Sequence, residues 1–214
     1  MARRQINDAY TKRAQREGYA ARSAYKLLEI QDKAKVIRRG DRVLDLGCAP
    51  GSWLQVAEKL VGERGRVAGV DLKPTTVSCR PWVTSAVGDA FELSPQDLLD
   101  LGGVPAYDAL LSDMAPNTSG DPRSDHFLSV RLAEQVLAVA PGVLRAGGAM
   151  VVKVFEGESY PEYMQAVKRR FQSVKGFRPK STRDVSREIF VIAKNHKAPP
   201  RTPPAADVAD AKTA

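Results

Sequence analysis

The sequence predicts an α/β fold: a mostly parallel sheet with helices on both faces and an antiparallel last strand. Three observations predict it. From residue 42 onward, short runs rich in Val, Leu and Ile alternate with segments of helical periodicity. Strands separated by helices pair in parallel, because each crossover returns the chain to the same end of the sheet. Val151, Val152, Val154 and Phe155 read as a strand buried in that sheet. The last two apolar runs leave no room for a helix between them, so they form an antiparallel hairpin.

The elements follow in order. Residues 22–35, RSAYKLLEIQDKAK, form a helix whose apolar stripe is Tyr25, Leu27, Leu28 and Ile30, and Gly40-Asp41 breaks the pattern. RVLDLG (42–47) is the first strand and WLQVAEKLV (53–61) the helix after it. GRVAGVDL (65–72) and WVTSAVGD (82–89) are the second and third strands. SPQDLLDL (94–101) is a short helix with Ser94 as N-cap and Pro95 in its first position, where a missing N–H costs nothing. YDALLSDM (107–114) is the fourth strand, HFLSVRLAEQVLAVAPGVL (126–144) a long helix and GGAMVVKVF (147–155) the fifth strand. YPEYMQAVKRRF (160–171) is a helix with Tyr163, Met164, Val167 and Phe171 on one face. Strands near 174–178 and at REIFVIAK (187–194) bring the count to seven. The segment NTSGDPRSD (117–125) reads equally as a mobile lid or as a polar loop, with His126 in a loop or a first helical turn. Residues 1–39 are a basic helical extension, 40–197 the α/β domain, and the Pro/Ala-rich 198–214 a disordered tail.

The net charge of +8 becomes informative once it is located. Residues 1–39 hold 11 Lys/Arg and 4 Asp/Glu, residues 40–166 hold 10 and 17, and residues 167–197 hold 10 and 2. An acidic middle is flanked by two basic segments, the pattern of a surface that attracts polyphosphate. Arg3, Arg4, Lys12, Arg13 and Arg16, with Lys168, Arg169 and Arg170, are candidate phosphate contacts. No apolar run approaches the ~18 residues of a membrane span, and the basic N-terminus lacks the apolar segment of a secretory signal. Cys48 and Cys79 form no CxxC pair, and His126 and His196 are the only histidines. Neither a metal nor a membrane partner is expected, and the chain is expected to act as a cytoplasmic monomer.

The first four strands each carry an acid near the carboxyl end, where ligands bind in a sheet of this kind. The first ends in DLGCAPGSW, with Asp45, Gly47 and Gly51; glycines let the backbone turn and approach a ligand closely. The spacing is G-x-x-x-G, not the G-x-G-x-x-G of a dinucleotide site, which disfavours NAD. Asp71 ends the second strand and suits a ribose diol. Asp89 ends the third, facing an adenine amino group, and Asp113 ends the fourth. Acids at four successive strand ends favour a nucleoside without phosphates, and S-adenosylmethionine (SAM) fits. Lys153 is the other anomaly: a lysine inside an apolar strand is costly unless partnered.

The runs DLGCAPGSW, LSDMAPNTSG, MVVKVFEGE and SREIFVIA, with RSAYKLLEI, are similar to those of the RrmJ/FtsJ (RlmE) family of ribosomal RNA ribose 2′-O-methyltransferases. The similarity runs from about residue 10 to residue 194. It implies the Rossmann-like, seven-stranded fold of SAM-dependent methyltransferases. The implied activity is 2′-O-methylation of a uridine in 23S rRNA within the late-assembling 50S subunit. It also implies a Lys-Asp-Lys-Glu tetrad of Lys26, Asp113, Lys153 and Glu188, and SAM positions at Gly51, Trp53, Asp71, Asp89 and Asp113. Two positions depart from the family pattern: Ser52, where a second glycine is frequent, and Ala90, where a larger apolar residue is common.

The chemistry such a site needs is in-line displacement at a sulfonium methyl by an alcohol that must lose its proton, with a base in hydrogen-bond reach. Burial and a nearby Lys26 favour a neutral Lys153, while Asp113 and Glu188 oppose that. Lys153 is expected to take the proton or stabilise the alkoxide, and Lys26 to orient the ribose. Relatives acting on tRNA or cap ribose share the tetrad, and a non-catalytic ribosome-assembly factor would share the fold.

Overall fold

The structure, a computed structural model, describes residues 2–182 and 186–197, with backbone alone for residues 2–8. The disordered tail expected at 198–214 lies outside the described residues.

Thirteen elements alternate as the pattern requires: α1 (Ala2–Arg16), α2 (Ala24–Ala34), β1 (Arg42–Leu46), α3 (Ser52–Val61), β2 (Arg66–Asp71), β3 (Val83–Val87), α4 (Pro95–Gly102), β4 (Tyr107–Ser112), α5 (Pro122–Val143), β5 (Leu144–Phe155), α6 (Tyr160–Arg170), β6 (Phe171–Phe177) and β7 (Glu188–His196). The seven strands form one sheet in the order β3-β2-β1-β4-β5-β7-β6. β1 to β5 run parallel, and β7 lies antiparallel between β5 and β6. The carboxyl ends of β1, β2, β4 and β5 therefore share one rim with the start of β7, where Glu188 pairs with Phe155.

Two apolar layers cover the sheet. Met150, Val152 and Val154 of β5 face α5 and α6, with Tyr163, Val167 and Phe171. Val151 and Phe190 face the other layer, which Leu27 and Ile30 of α2 share with Trp53 and Leu54 of α3. Full burial of a leucine or isoleucine stabilises by about 1.5–3 kcal/mol, so α2 is held by this core. Strand alternation places Lys153, two residues beyond Val151, on the α2 face.

Most elements lie within a few residues of their expected bounds. Ser94 caps α4 as expected, with Asp97 completing a reciprocal capping box. Helix α5 is the largest departure: it begins at Pro122, four residues before the expected start. Asp121 is the reason, since its carboxylate accepts the backbone N–H groups of Arg123 and Ser124. The 117–125 segment is accordingly tied down, with buried Asp125 accepting from Ser119 N and Oγ. His126 is thus helical and buried. β5 starts at Leu144 rather than 147, passing through Gly147-Gly148 with an irregular register against β4.

At the opposite rim, Asp108 accepts from Arg42 and Arg145. Burial alone would raise this carboxyl, but the two guanidinium groups outweigh it and hold it at about 2, below its ordinary 3.8. A depressed carboxyl stabilises the fold above its unfolded value and loses that contribution as pH falls through the folded one. Wild-type melting temperature is therefore expected to drop between pH ~4 and ~2. Asp108→Asn should flatten that segment of the stability profile; an identical profile in both proteins would remove the assignment.

Candidate catalytic and cofactor site

The residues expected from four separate segments converge at the carboxyl rim. Lys153 Nζ donates to Asp113 Oδ1 at 2.8 Å and to the Asp113 carbonyl at 2.5 Å. Lys26 Nζ lies 2.7 Å from Glu188 Oε1 and 3.9 Å from Asp113 Oδ1. The result is a chain of alternating charge, Lys153–Asp113–Lys26–Glu188. Its two ammonium groups share one carboxylate oxygen. Lys26, Lys153 and Glu188 are each 7–8% exposed, a degree of burial that charges tolerate only when paired. The lysine that breaks the β5 pattern is thus partnered on arrival.

Side chains not singled out in the sequence hold this chain in place. Thr182 Oγ1 donates to Glu188 Oε1 at 3.0 Å, and Ser186 Oγ accepts from Glu188 N. The Phe190 ring lies 5.7 Å below Lys26 Nζ, a cation–π contact, and 5.7 Å from Trp53. Glu29, one turn along α2, accepts the N–H groups of Lys180 and Ser181 and pins the turn after β6 that carries Thr182. Nothing in the local sequence marks Glu29, whose partners are distant in the chain, or Thr182, which meets Glu188 across an irregular turn. Arg187 and Arg183 are the neighbours that sequence proximity would pair with Glu188. The partner instead is Lys26; Arg187 lines a cavity on the other face of the sheet, and Arg183 lies outside the described residues.

The cofactor positions line the same rim. Gly47 adopts φ +82°, and a Cβ there would meet Met114 Cγ at 2.2 Å. Gly51 adopts φ +116°, and a Cβ would strike Val77 at 2.3 Å. Both turns need glycine. Asp71 Oδ2 accepts Ala49 N–H and Oδ1 accepts Lys73 N–H, each at 2.9 Å, so it clamps the Gly47–Gly51 turn to β2. Each oxygen keeps a free lone pair for a diol. Asp89 Oδ1 accepts Phe91 N–H at 2.8 Å. Trp53 is 2% exposed and donates from Nε1 to the Ser23 carbonyl. Its ring is a core and positioning group; toward a cofactor it offers the backbone N–H of the first α3 turn.

Ser52, the departure from the family pattern, is buried and hydrogen-bonds Ser23 Oγ at 2.8 Å, tying α3 to the approach of α2. Ala90, the other departure, is buried beneath the third strand end.

Asp45 is the feature that most needs a ligand. It is fully buried, and neither carboxylate oxygen has a hydrogen-bond partner. Burial first, then the neighbouring Asp113 and Asp71 carboxylates, push its pKa well above the ordinary value. A cationic group would satisfy it, and the ammonium of SAM is one. Leu72, Val87 and Phe91 are 68%, 63% and 45% exposed beside Asp71 and Asp89, apolar surface suited to the faces of an adenine. Their signal in the sequence was an apolar residue within two positions of a strand-end acid. The residues therefore fit SAM at every part: amino acid, ribose and base. Cys48, buried beside Asp45 and Asp71, has its thiol pushed far up and is inert at neutral pH.

The two basic segments separate in space. The C-terminal turn of α1 rests on Tyr25, with Arg13 4.7 Å over its ring, next to Lys26. Arg13 is already paired with Glu17, Lys12 has contacts of its own, and Arg16 is exposed. Lys168, Arg169 and Arg170 end α6, whose next residue, Phe171, pairs with His196 at the opposite rim. Arg170 donates to the Leu137 carbonyl, a structural contact. The α6 cluster is thus remote from the tetrad, because α6 runs antiparallel to β5 and carries it the length of the sheet. Among the described residues no group of acids, cysteines and histidines is arranged to hold a metal, and no helix is long and apolar enough to cross a membrane.

Known proteins share the sequence and the fold of this chain. A family model described as FtsJ-like methyltransferase matches residues 19–196. A protein of Desulfatibacillum aliphaticivorans named ribosomal RNA large subunit methyltransferase E is 47% identical over 190 residues, 89% of this chain and 91% of its own. A Pseudomonas fluorescens protein of the same name is 40% identical over 192 residues, 89% of this chain and 91% of its own. Among solved structures, a protein described as a ribosomal RNA methyltransferase from Plasmodium falciparum superposes with TM-score 0.74 at 28% identity, covering 85% of this chain and all of that one. Aeropyrum pernix fibrillarin, solved with bound SAM, superposes with TM-score 0.60 at 23% identity, over 80% of this chain and 76% of that one, and shares the fold.

Proposed function

The chain belongs to the FtsJ-like methyltransferase family, and from that membership we propose that it methylates a ribose 2′-hydroxyl of a uridine in large-subunit (23S) ribosomal RNA. The cofactor is SAM, and the substrate is the rRNA within the assembling 50S subunit, in the cytoplasm, with the enzyme acting as a monomer. One observation carries the reading: the alternating chain Lys153–Asp113–Lys26–Glu188 stands at the same rim as the unpartnered Asp45. A proton-handling group and a cation-seeking cofactor site at one rim are what methylation of an alcohol needs.

Bound SAM supplies an electrophilic methyl on a sulfonium. The chain's own residues do the rest. Asp113 holds the Lys153 amine toward the acceptor oxygen. Lys153 takes the 2′-hydroxyl proton or stabilises the oxygen as its charge develops. Lys26, locked by Glu188 and set over Phe190, orients the ribose. Asp45 and Asp71 hold the amino-acid and ribose ends of the cofactor. The 40–47% identity to proteins named as large-subunit methyltransferases supports the rRNA target.

The test is methyl transfer from tritiated SAM to large subunits from cells lacking the gene. Label is expected in 23S rRNA, in a uridine whose 3′ linkage resists alkali, because the methylated oxygen can no longer attack it. Label in alkali-labile nucleotides would overturn ribose methylation, and no label in the subunits beside label in tRNA supplied in a parallel reaction would overturn the target.

A further inference from the structure

A cavity of about 220 Å³ lies at the start of α5 and takes no part in the reaction described above. Phe127, on its wall, is 59% exposed, and Leu128 beside it 38%. Arg123 and Arg187 project to the same cavity, with Glu158 as the acid in its lining. Arg187 has no ion-pair partner among the described residues. Arg123 adds to the field that, after the hydrogen bonds from Ser124, lowers Asp121.

The wall is rigid. His126 Nδ1 donates to the Phe155 carbonyl at 2.8 Å, and Nε2 accepts Ser159 N–H at 3.0 Å. The two bonds tie the ring to the end of β5 and to the start of α6. A Cβ on Gly157 would come within 2.6 Å of the same ring. Phe127 is the next residue of α5, on the exposed side of this clamped turn.

The cavity and the tetrad share one rim. Arg187 precedes Glu188, and strand alternation sends their side chains to opposite faces of the sheet. Gly157 lies two residues past Phe155, which pairs with Glu188. A nucleic-acid strand crossing this rim meets the tetrad on one side and the cavity on the other. An exposed aromatic ring lining one cavity with two guanidinium groups suits a base with its phosphate.

We propose that this cavity is a subsite for a single-stranded nucleotide flanking the methylated one, an inference that rests on the RNA reading above. Its base stacks on Phe127, Arg123 and Arg187 hold its phosphate, and Glu158 accepts a base N–H.

The test titrates the full chain with a fluorescent oligouridylate, beside methyl transfer to undermethylated large subunits. Phe127→Ala should weaken oligouridylate binding about thirty-fold, the middle of the range for loss of one stacked base. KM for the subunit should rise, with kcat at saturation and SAM affinity unchanged, and Phe127→Trp should restore binding. Arg123→Gln with Arg187→Gln should reduce the slope of log K against log salt by about 1.4, the value for two single-strand phosphate contacts. Wild-type affinity in Phe127→Ala, failure of Phe127→Trp to restore it, or no oligouridylate binding by the wild type would each overturn the subsite. If binding depends on Phe127 but no RNA is methylated, the subsite stands and the methylation reading falls.

Discussion

Lys153→Met is expected to lower methyl transfer by about 10²–10⁴-fold, the range for loss of a positioned proton-transfer group. Methionine keeps the length and apolar stem of lysine and removes only the amine. Lys153 touches the cofactor positions only at Asp113, which keeps Lys26 nearby, so SAM affinity should fall far less than the rate. Asp113 would lose its 2.8 Å partner but keep Lys26 at 3.9 Å, so the chain should fold with a modestly lowered melting temperature. Single-turnover transfer with saturating SAM and large subunits measures the effect. A rate within ten-fold of wild type would remove Lys153 from the chemistry. Lys153→Arg separates its two possible roles. A guanidinium stays charged throughout the neutral range. Substantial activity in Lys153→Arg would mean that positive charge on the oxygen suffices; none would mean that the amine must accept the proton.

Asp45→Asn should act in opposite directions on binding and on stability. The wild-type carboxyl is buried beside Asp113 and Asp71 with no hydrogen bond, and its pKa is raised. A raised folded pKa means that the cofactor-free fold holds a proton the unfolded chain releases. That contribution is complete below the unfolded value and is lost as pH rises through the folded one. At neutral pH the cofactor-free protein therefore carries a destabilising acid. Asparagine cannot ionise, so the cofactor-free variant should melt higher, by about 2–4 °C for each kcal/mol recovered in a chain of this size. An ammonium ligand wants the ionised form. SAM binding to the wild type should tighten as pH rises through the Asp45 titration, and Asp45→Asn should lose that dependence. Loss of charge-assisted hydrogen bonds worth about 1.5–3 kcal/mol predicts affinity about 10- to 150-fold weaker. Calorimetric titration and thermal melting read the two effects separately. Unchanged SAM affinity would show that Asp45 does not face the ammonium.

Legibility in the sequence followed how local the determining interactions are. Ser94 was readable as a cap because its partner Asp97 is three residues away. The start of α5 was not. Asp121-Pro122 carries the same signal, but it sits inside a polar stretch with no apolar periodicity to extend it. Of the site, the strand-end acids Asp45, Asp71, Asp89 and Asp113 were visible because a parallel sheet must place its strand ends together. Lys153 stood out by its cost. Lys26 and Glu188 were indistinguishable from surface charges by pattern, and only resemblance to a family singled them out. Glu29 and the His126 clamp carried no signal, since each acts on backbone groups distant in the chain, and Thr182 carried none because an irregular turn sets its contact with Glu188.

The sequence by itself determined the layered α/β fold, the placement of acids and glycines at one rim, and the presence of a buried lysine needing a partner. Periodicity, turn chemistry and burial cost act over a few residues and are written in composition and spacing. Tertiary structure alone decided who partners whom. It set Asp113 between two lysines and paired Glu188 with Lys26 rather than with the adjacent arginine. It left Asp45 with no partner and sent the basic end of α6 to the far rim. Those outcomes depend on β7 inserting between β5 and β6 and on α2 crossing the same face. Such contacts between distant segments are settled by the packing of the whole core.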